Sequence, residues 1–196
     1  MRYVNIYSED RELVDKLGRF VEEYQFGIMG DVNWPTAYQD HLALAYLIKK
    51  FEIKSILEIG VWKGATSGLF CKMDEVEKVK GIDINQEMNV KYTHNGHPLS
   101  NPEFYGQLVK SPKFSLEFAD TKQVEPKEQF DMVFIDGNHT EEYIANDTLL
   151  ALKYKPKIIV WHDYAAEPEV TDYLNKNELN LNIEVIGSSI VAYAII

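Results

Sequence analysis

Lys54-Ser-Ile-Leu-Glu58-Ile-Gly60-Val-Trp62-Lys-Gly64-Ala-Thr-Ser67 is the stretch on which the fold turns. Ile53, Ile56, Leu57 and Ile59 make an apolar run too short for a buried helix, so it reads as a buried strand. Gly60 and Gly64 follow at once, and Ala65 to Met73 then reads as a helix. A strand that turns through glycines into a helix sets unpaired backbone N–H groups and a positive dipole end beside the turn. Glycine there lets a ligand come close to the main chain. An ordinary tight turn between a strand and a helix would need the same residues.

The ligand can be narrowed. The dinucleotide pattern G-x-G-x-x-G fails because Trp62 fills its second glycine position, where a pyrophosphate would have to approach. Glu58 is a poor neighbour for phosphate and a good one for an ammonium group or a ribose, which favours a positively charged nucleoside. Glu58-x-Gly60-x-x-x-Gly64 resembles the first motif of class I S-adenosylmethionine-dependent methyltransferases. It departs from that family's commonest form at Trp62 and is closer to the branch with sugar and antibiotic O-methyltransferases.

Outward from this stretch, strands and helices alternate. Ser8 to about Tyr24 reads as a helix with Ser8 as cap, and about Thr36 to Phe51 as a second, with Leu44, Leu47, Ile48 and Phe51 as its apolar stripe. Strands are expected at 79–84, 114–118, 130–136 and 157–163, with helices at about 141–152 and 167–175. Residues 181–186 and 190–196 close the chain as two strands joined by too few residues for a crossover, so they must run antiparallel. The alternation argues for an α/β fold with a parallel sheet covered on both faces. The resemblance implies the three-layer, Rossmann-like form: a seven-stranded, mostly parallel sheet with one antiparallel C-terminal strand. The expected organisation is one methyltransferase domain over 1–196, with N-terminal helices in 1–52 and a cofactor-binding core in 53–196. Within the core, 85–113 is long and rich in Asn, Pro and Gly, and reads as a substrate lid or as plain disorder.

Bulk composition excludes several classes. The chain has 196 residues, 45% of them hydrophobic, enough for one core. A net charge of −11 repels phosphate backbones and anionic lipid, so nucleic-acid and membrane partners are not expected. Such a field suits metal cations and neutral or cationic small molecules. Cys71 is the sole cysteine, so no intramolecular disulfide forms. With no signal-peptide pattern and no run long enough to span a bilayer, a cytoplasmic location is expected, and self-association is left open.

Asp83 ends the second strand of the core, where a carboxylate can accept hydrogen bonds from ribose hydroxyls or simply cap the strand. The most concentrated chemistry lies further on, in Asp136-Gly-Asn-His139 and Trp161-His162-Asp163-Tyr164. Both stretches follow apolar strands that should be neighbours about 5 Å apart, so Asp136, His139, His162 and Asp163 should converge at the ligand-binding edge of the sheet. Carboxylates from adjacent strand ends can hold a divalent cation that acidifies a substrate hydroxyl, and a nearby His can take its proton. Alternatively His139 merely caps the helix beginning at Thr140-Glu141.

The pattern Asp-Gly-x-His, then a helix with Asp147, then His-Asp-Tyr resembles small O-methyltransferases related to macrolide-sugar and cephamycin-type enzymes. The resemblance runs from about Gly30 to the end. It implies S-adenosylmethionine bound by Glu58, Gly60, Gly64, Thr66, Asp83, Ile84, Asp120 and Thr121. It further implies Asp136 and His139 as catalytic residues, His139 as the base, and a cation, magnesium or manganese, at Asp136, His162 and Asp163. Two departures stand out. His162 occupies a position where relatives place a carboxylate, which points to a softer ion, a supporting role, or no metal. Lys155-Pro-Lys157 replaces a Pro-Gly-Gly turn. The implied activity is methyl transfer to a hydroxyl of a sugar or small metabolite. A metal-independent transferase and a non-catalytic nucleoside-binding module are the rivals.

Overall fold

The computed structural model describes residues 1–28, 38–84 and 105–196. Its frame is one eight-stranded sheet in the order β1-β7-β8-β6-β5-β2-β3-β4. The strands are β1 (Arg2–Val4), β2 (Ser55–Ile59), β3 (Lys78–Asp83), β4 (Phe114–Phe118), β5 (Met132–Ile135), β6 (Ile158–Trp161), β7 (Ile183–Ile186) and β8 (Ala192–Ile195). The helices are α1 (Ile6–Glu9), α2 (Arg11–Ile28), α3 (Tyr38–Lys50), α4 (Ala65–Lys72), α5 (Glu141–Lys153) and α6 (Pro168–Lys176). All strand pairings are parallel except those of β8 with β6 and with β7. The expected seven-stranded arrangement with its antiparallel C-terminal strand is therefore present.

The addition is β1, which pairs in parallel with β7 at Tyr3↔Val185. It is too short to show any periodicity, which is why the pattern of apolar residues does not reveal it. The chain after it also divides differently from expectation. Asn5 caps α1 by accepting the Tyr7 N–H at 3.1 Å, and the Asp10 side chain accepts the Leu13 N–H at 3.0 Å to start α2. Asp10, rather than Ser8, is the residue that opens the long helix.

Burial follows position in the sheet. β5 and β6 are buried at every residue and β2 at all but Ser55, as central parallel strands covered on both faces must be. β4, at the edge, is half exposed and alternates. One core layer packs α2, α3 and α4 on the face carrying Ile56, Phe134 and Val160. The other lies on the face carrying Leu57, Val133 and Trp161, where α5 and α6 contribute Ile144, Leu150, Val170 and Leu174. Helix α3 is buried at every residue from Asp40 to Ile48, so its stripe is wider than its apolar residues alone suggest. A helix enclosed between another helix and a sheet has no solvent face to spare.

Because β2, β3, β5 and β6 are parallel, their carboxyl ends meet at one edge, where α4, α5 and α6 begin. That edge holds nearly all the expected site residues. Residues 29–37, and 85–104 of the expected lid, lie outside the described residues. Among the described residues no helix is long and apolar enough to cross a membrane.

Candidate active site

The turn after β2 is a sequence of left-handed residues: Gly60 has φ 88°, Trp62 φ 43° and Gly64 φ 86°. Glycine is required at Gly60 on two counts. The conformation disfavours a side chain, and a Cβ would lie 2.7 Å from Gly137 Cα and closer still to the Asp136 carbonyl oxygen. The glycine turn therefore touches the loop that carries Asp136, and the two candidate half-sites are joined through main chain. Trp62 holds a conformation uncommon for a bulky residue, and its indole is partly exposed with the Lys63 ammonium 5.3 Å from the ring centre.

Asp83 explains how Trp62 is kept there. One oxygen, Oδ2, accepts the N–H groups of Val61 at 2.7 Å and Trp62 at 2.8 Å, while Oδ1 accepts the N–H of Ile84 at 2.7 Å. This carboxylate clasps the glycine turn. Burial raises its pKa while these three backbone donors oppose the rise. A carboxylate has about four lone-pair directions, so one remains for a ligand hydroxyl.

Glu58 is not at the mouth of the turn. It is paired within β2 opposite Gly81 and Phe134, its side chain is buried on the α4 face, and Ser67 Oγ donates to its Oε2. Burial pushes its carboxyl well above the usual range, against the Ser67 hydrogen bond that lowers it. Thr66 is buried in the first turn of α4. Asp120 caps the short 3₁₀ turn Thr121–Gln123, accepting the Lys122 N–H at 3.0 Å. Thr121 Oγ1 accepts from Asn146 at 3.2 Å, and the same amide donates to the buried Asp147 at 3.0 Å.

The second half-site is built from charge. Asp136 follows β5 and Asp163 follows β6, and their strands pair at Ile135↔Trp161. His139 Nε2 lies 2.9 Å from Asp163 Oδ2, and His139 Nδ1 lies 3.9 Å from Glu167. His162 Nδ1 sits 3.4 Å from Asp136 and 3.2 Å from Asp163, while its Nε2 is 3.5 Å from Asp40 on α3. So the four expected side chains do converge, and a fifth, Asp40, joins them. Asp136, His139, His162 and Asp163 also line a recess of about 220 Å³ including its open mouth.

The two histidines differ. Among the described residues, both His162 nitrogens are buried with no partner in hydrogen-bond geometry, so its contacts are ion pairs and not aligned bonds. Burial alone would favour a neutral ring, but Asp136, then Asp163 and Asp40, outweigh it and hold His162 well above the usual range. His139 is raised chiefly by its bond to Asp163, against burial. Asp163 is pulled well below the usual carboxylate range by His139 and His162 in spite of its burial. Among the described residues, Asp136, His139 and Asp163 can bring one ligand atom each within 4.8 Å of one another. His162, the expected ligand, is outside that set; its Nδ1 pairs with Asp136 and Asp163 and its Nε2 with Asp40. At the start of α5, Asn138 accepts the Thr140 N–H at 2.9 Å and Glu169 accepts the Glu141 N–H at 2.7 Å.

Asp40 and its neighbour His41 escape a reading of periodicity, since both look like the polar face of an amphipathic helix. The usable signal is two adjacent polar residues that begin a long apolar helix. Asp40 Oδ1 accepts the Ile190 N–H at 3.0 Å, tying α3 to the turn before β8. His41 Nδ1 pairs with Gln25 Nε2 at 2.9 Å.

A mostly parallel sheet in this strand order, with a glycine turn after β2 and an acidic cluster after β5 and β6, defines a methyltransferase-type α/β protein. The chain belongs to the methyltransferase domain family, whose model matches residues 57–164. The comparison with curated proteins finds no match. Among solved structures, a candidate caffeoyl-CoA O-methyltransferase of Staphylococcus aureus is 16% identical with a TM-score of 0.64, over 94% of this chain and 97% of its own. The Bacillus cereus O-methyltransferase in complex with SAH is 13% identical with a TM-score of 0.54, over 96% and 97%. TomG of Streptomyces achromogenes, involved in tomaymycin synthesis and solved with SAM, is 13% identical with a TM-score of 0.52, over 93% and 88%. At these identities the similarity is one of fold.

Proposed function

We propose that the chain moves a methyl group from S-adenosylmethionine to the hydroxyl oxygen of a sugar or other small metabolite, with a divalent cation at the β5–β6 edge. The observation that carries this is the convergence of Asp136, His139, His162 and Asp163 on a loop in main-chain contact with Gly60. The nucleoside half fits the residues present. Asp83 retains a lone pair for ribose, Asp120 and Thr121 lie at the end of β4 for the adenine, and the opening turn of α4 begins at Gly64. When bound, the sulfonium supplies an already activated methyl group, so the protein's work is alignment and removal of the acceptor proton.

Asp136, His139 and Asp163 would hold the cation, which would acidify the acceptor hydroxyl. Two carboxylates and an imidazole suit manganese or another borderline ion better than magnesium. His162 balances the crowded carboxylates of Asp40, Asp136 and Asp163, and the same carboxylates keep its proton in place, which makes it a poor base. A second reading rests on the 2.9 Å contact between His139 and Asp163. Without a cation, Asp163 orients His139, and His139 takes the hydroxyl proton directly. The acidic balance of the chain favours neutral or cationic acceptors in either case.

The test is release of S-adenosylhomocysteine against a panel of sugars and phenols, with and without EDTA. Turnover that EDTA suppresses, and that manganese restores at least as well as magnesium, is the expected result. Full turnover in EDTA transfers the role to His139 and Asp163. Tight binding of S-adenosylhomocysteine with no turnover on any acceptor overturns the enzymatic reading.

A further inference from the structure

The far end of the 85–113 stretch returns to the glycine turn. Gly106 donates its N–H to the Trp62 carbonyl at 2.7 Å, and Leu108 donates to the Lys63 carbonyl at 3.1 Å. A Cβ on Gly64 would lie 3.0 Å from Gly106 Cα, so the two backbones are in contact. Residue 105 is thereby placed one position from a residue bonded to Trp62, whose own N–H is held by Asp83. The Tyr105 ring meets Phe118 edge-on, 5.7 Å between centres, and Phe118 is the register partner of Asp83.

Tyr105 is 8% exposed, and among the described residues its hydroxyl has no hydrogen-bond partner. A buried hydroxyl left in that state costs on the order of 1–3 kcal/mol. The Asp83 carboxylate is the charge felt there: with burial first and Asp83 second, the phenol is pushed up to about 12, so it stays an O–H donor. Val61, Trp62 and Ile84 have already committed their N–H groups to Asp83. A ribose that donates one hydroxyl to the remaining lone pair of Asp83 still needs a donor for its own oxygen lone pairs, and these three amides cannot supply one.

We propose that the Tyr105 hydroxyl is a cofactor-binding group, donating to a ribose oxygen of the nucleoside that gives one hydroxyl proton to the remaining lone pair of Asp83. The inference rests on the reading of the turn as a nucleoside site. Asp83 and Tyr105 then form a matched pair, one acceptor and one donor, and the ordering of 105–109 over the glycine turn serves ligand affinity.

The experiment is calorimetric titration of S-adenosylhomocysteine, and of its 2′,3′-dideoxy counterpart, into wild type and Tyr105→Phe. The variant should melt at the same temperature or higher without ligand, since an unpaired hydroxyl is gone. It should bind S-adenosylhomocysteine about tenfold more weakly, the worth of one such bond, and lose nothing toward the dideoxy ligand. Equal affinity of wild type and Tyr105→Phe for S-adenosylhomocysteine overturns the inference, and so does an equal loss toward both ligands. A wild type that binds no S-adenosylhomocysteine overturns the nucleoside reading and this inference together.

Discussion

The two halves of the ligand-facing edge are made from different materials. Around β2 and β3 the site is main chain: left-handed residues at Gly60, Trp62 and Gly64, with Asp83 fixed by three backbone N–H groups. Around β5 and β6 it is side chain: two histidines and four carboxylates within ion-pair distance. Backbone geometry tolerates little substitution and titrates little, which suits an invariant ligand. Charged side chains can be exchanged one at a time, and that suits a variable acceptor and its proton.

The sharpest way to test this division is His139→Ala. Loss of a positioned base or ligand should lower kcat by ~10²–10⁴, while affinity for S-adenosylhomocysteine stays at the wild-type value. A parallel fall in cofactor affinity would erase the division between halves. Gly60→Ala attacks the other half. Its Cβ meets main chain of the Asp136 loop, so the fold should lose about 3 kcal/mol in urea denaturation, on the scale of a strained and overpacked site. A variant as stable as wild type would mean that the two loops are not in contact.

A smaller effect should come from His41, just behind the charged half. Burial drives its pKa down to about 4, with Asp40 opposing and His162 assisting. Below about pH 6.5 the unfolded chain binds a proton that the folded chain refuses, so stability is intact above that pH and falls as pH drops toward 4. The loss attributable to His41 should approach ~3 kcal/mol at pH 4, because each tenfold difference in proton affinity between the two states is worth about 1.4 kcal/mol. It is measured as the difference between wild type and His41→Phe in urea titrations at pH 7.5 and pH 5. Identical pH slopes would show that the ring is not held neutral.

Much of this is legible in the residues. Apolar runs such as Ile56-Leu57 and Ile158-Ile159-Val160 mark central strands because burial on both faces demands them, and Gly60 and Gly64 mark the turn because other residues resist its conformation. The convergence of Asp136, His139, His162 and Asp163 follows from two parallel strands being neighbours. What stays hidden depends on long-range placement. Glu58 looks like a ligand from its position in the motif, yet alternation along β2 turns it inward to Ser67. Asp40 joins the charged cluster only because α3 is enclosed and tied to the Ile190 N–H. Tyr105 is one polar aromatic among several in a long loop until Gly106 brings it to Trp62.

Strand β1 carries a consequence for the order of assembly. The Arg2–Glu184 contact spans 182 positions, whereas Tyr193 reaches the same Glu184 across 9. While the intervening chain is unstructured, closing the longer loop costs about 3 kcal/mol more than closing the shorter one. The β7–β8 hairpin can therefore form early and locally, and β1 can dock only on a sheet already assembled. Contacts made after the rate-limiting step leave the folding rate untouched and act on unfolding alone. Substitutions at Val4, buried beside β7, should accordingly hasten the loss of the native state without slowing its formation.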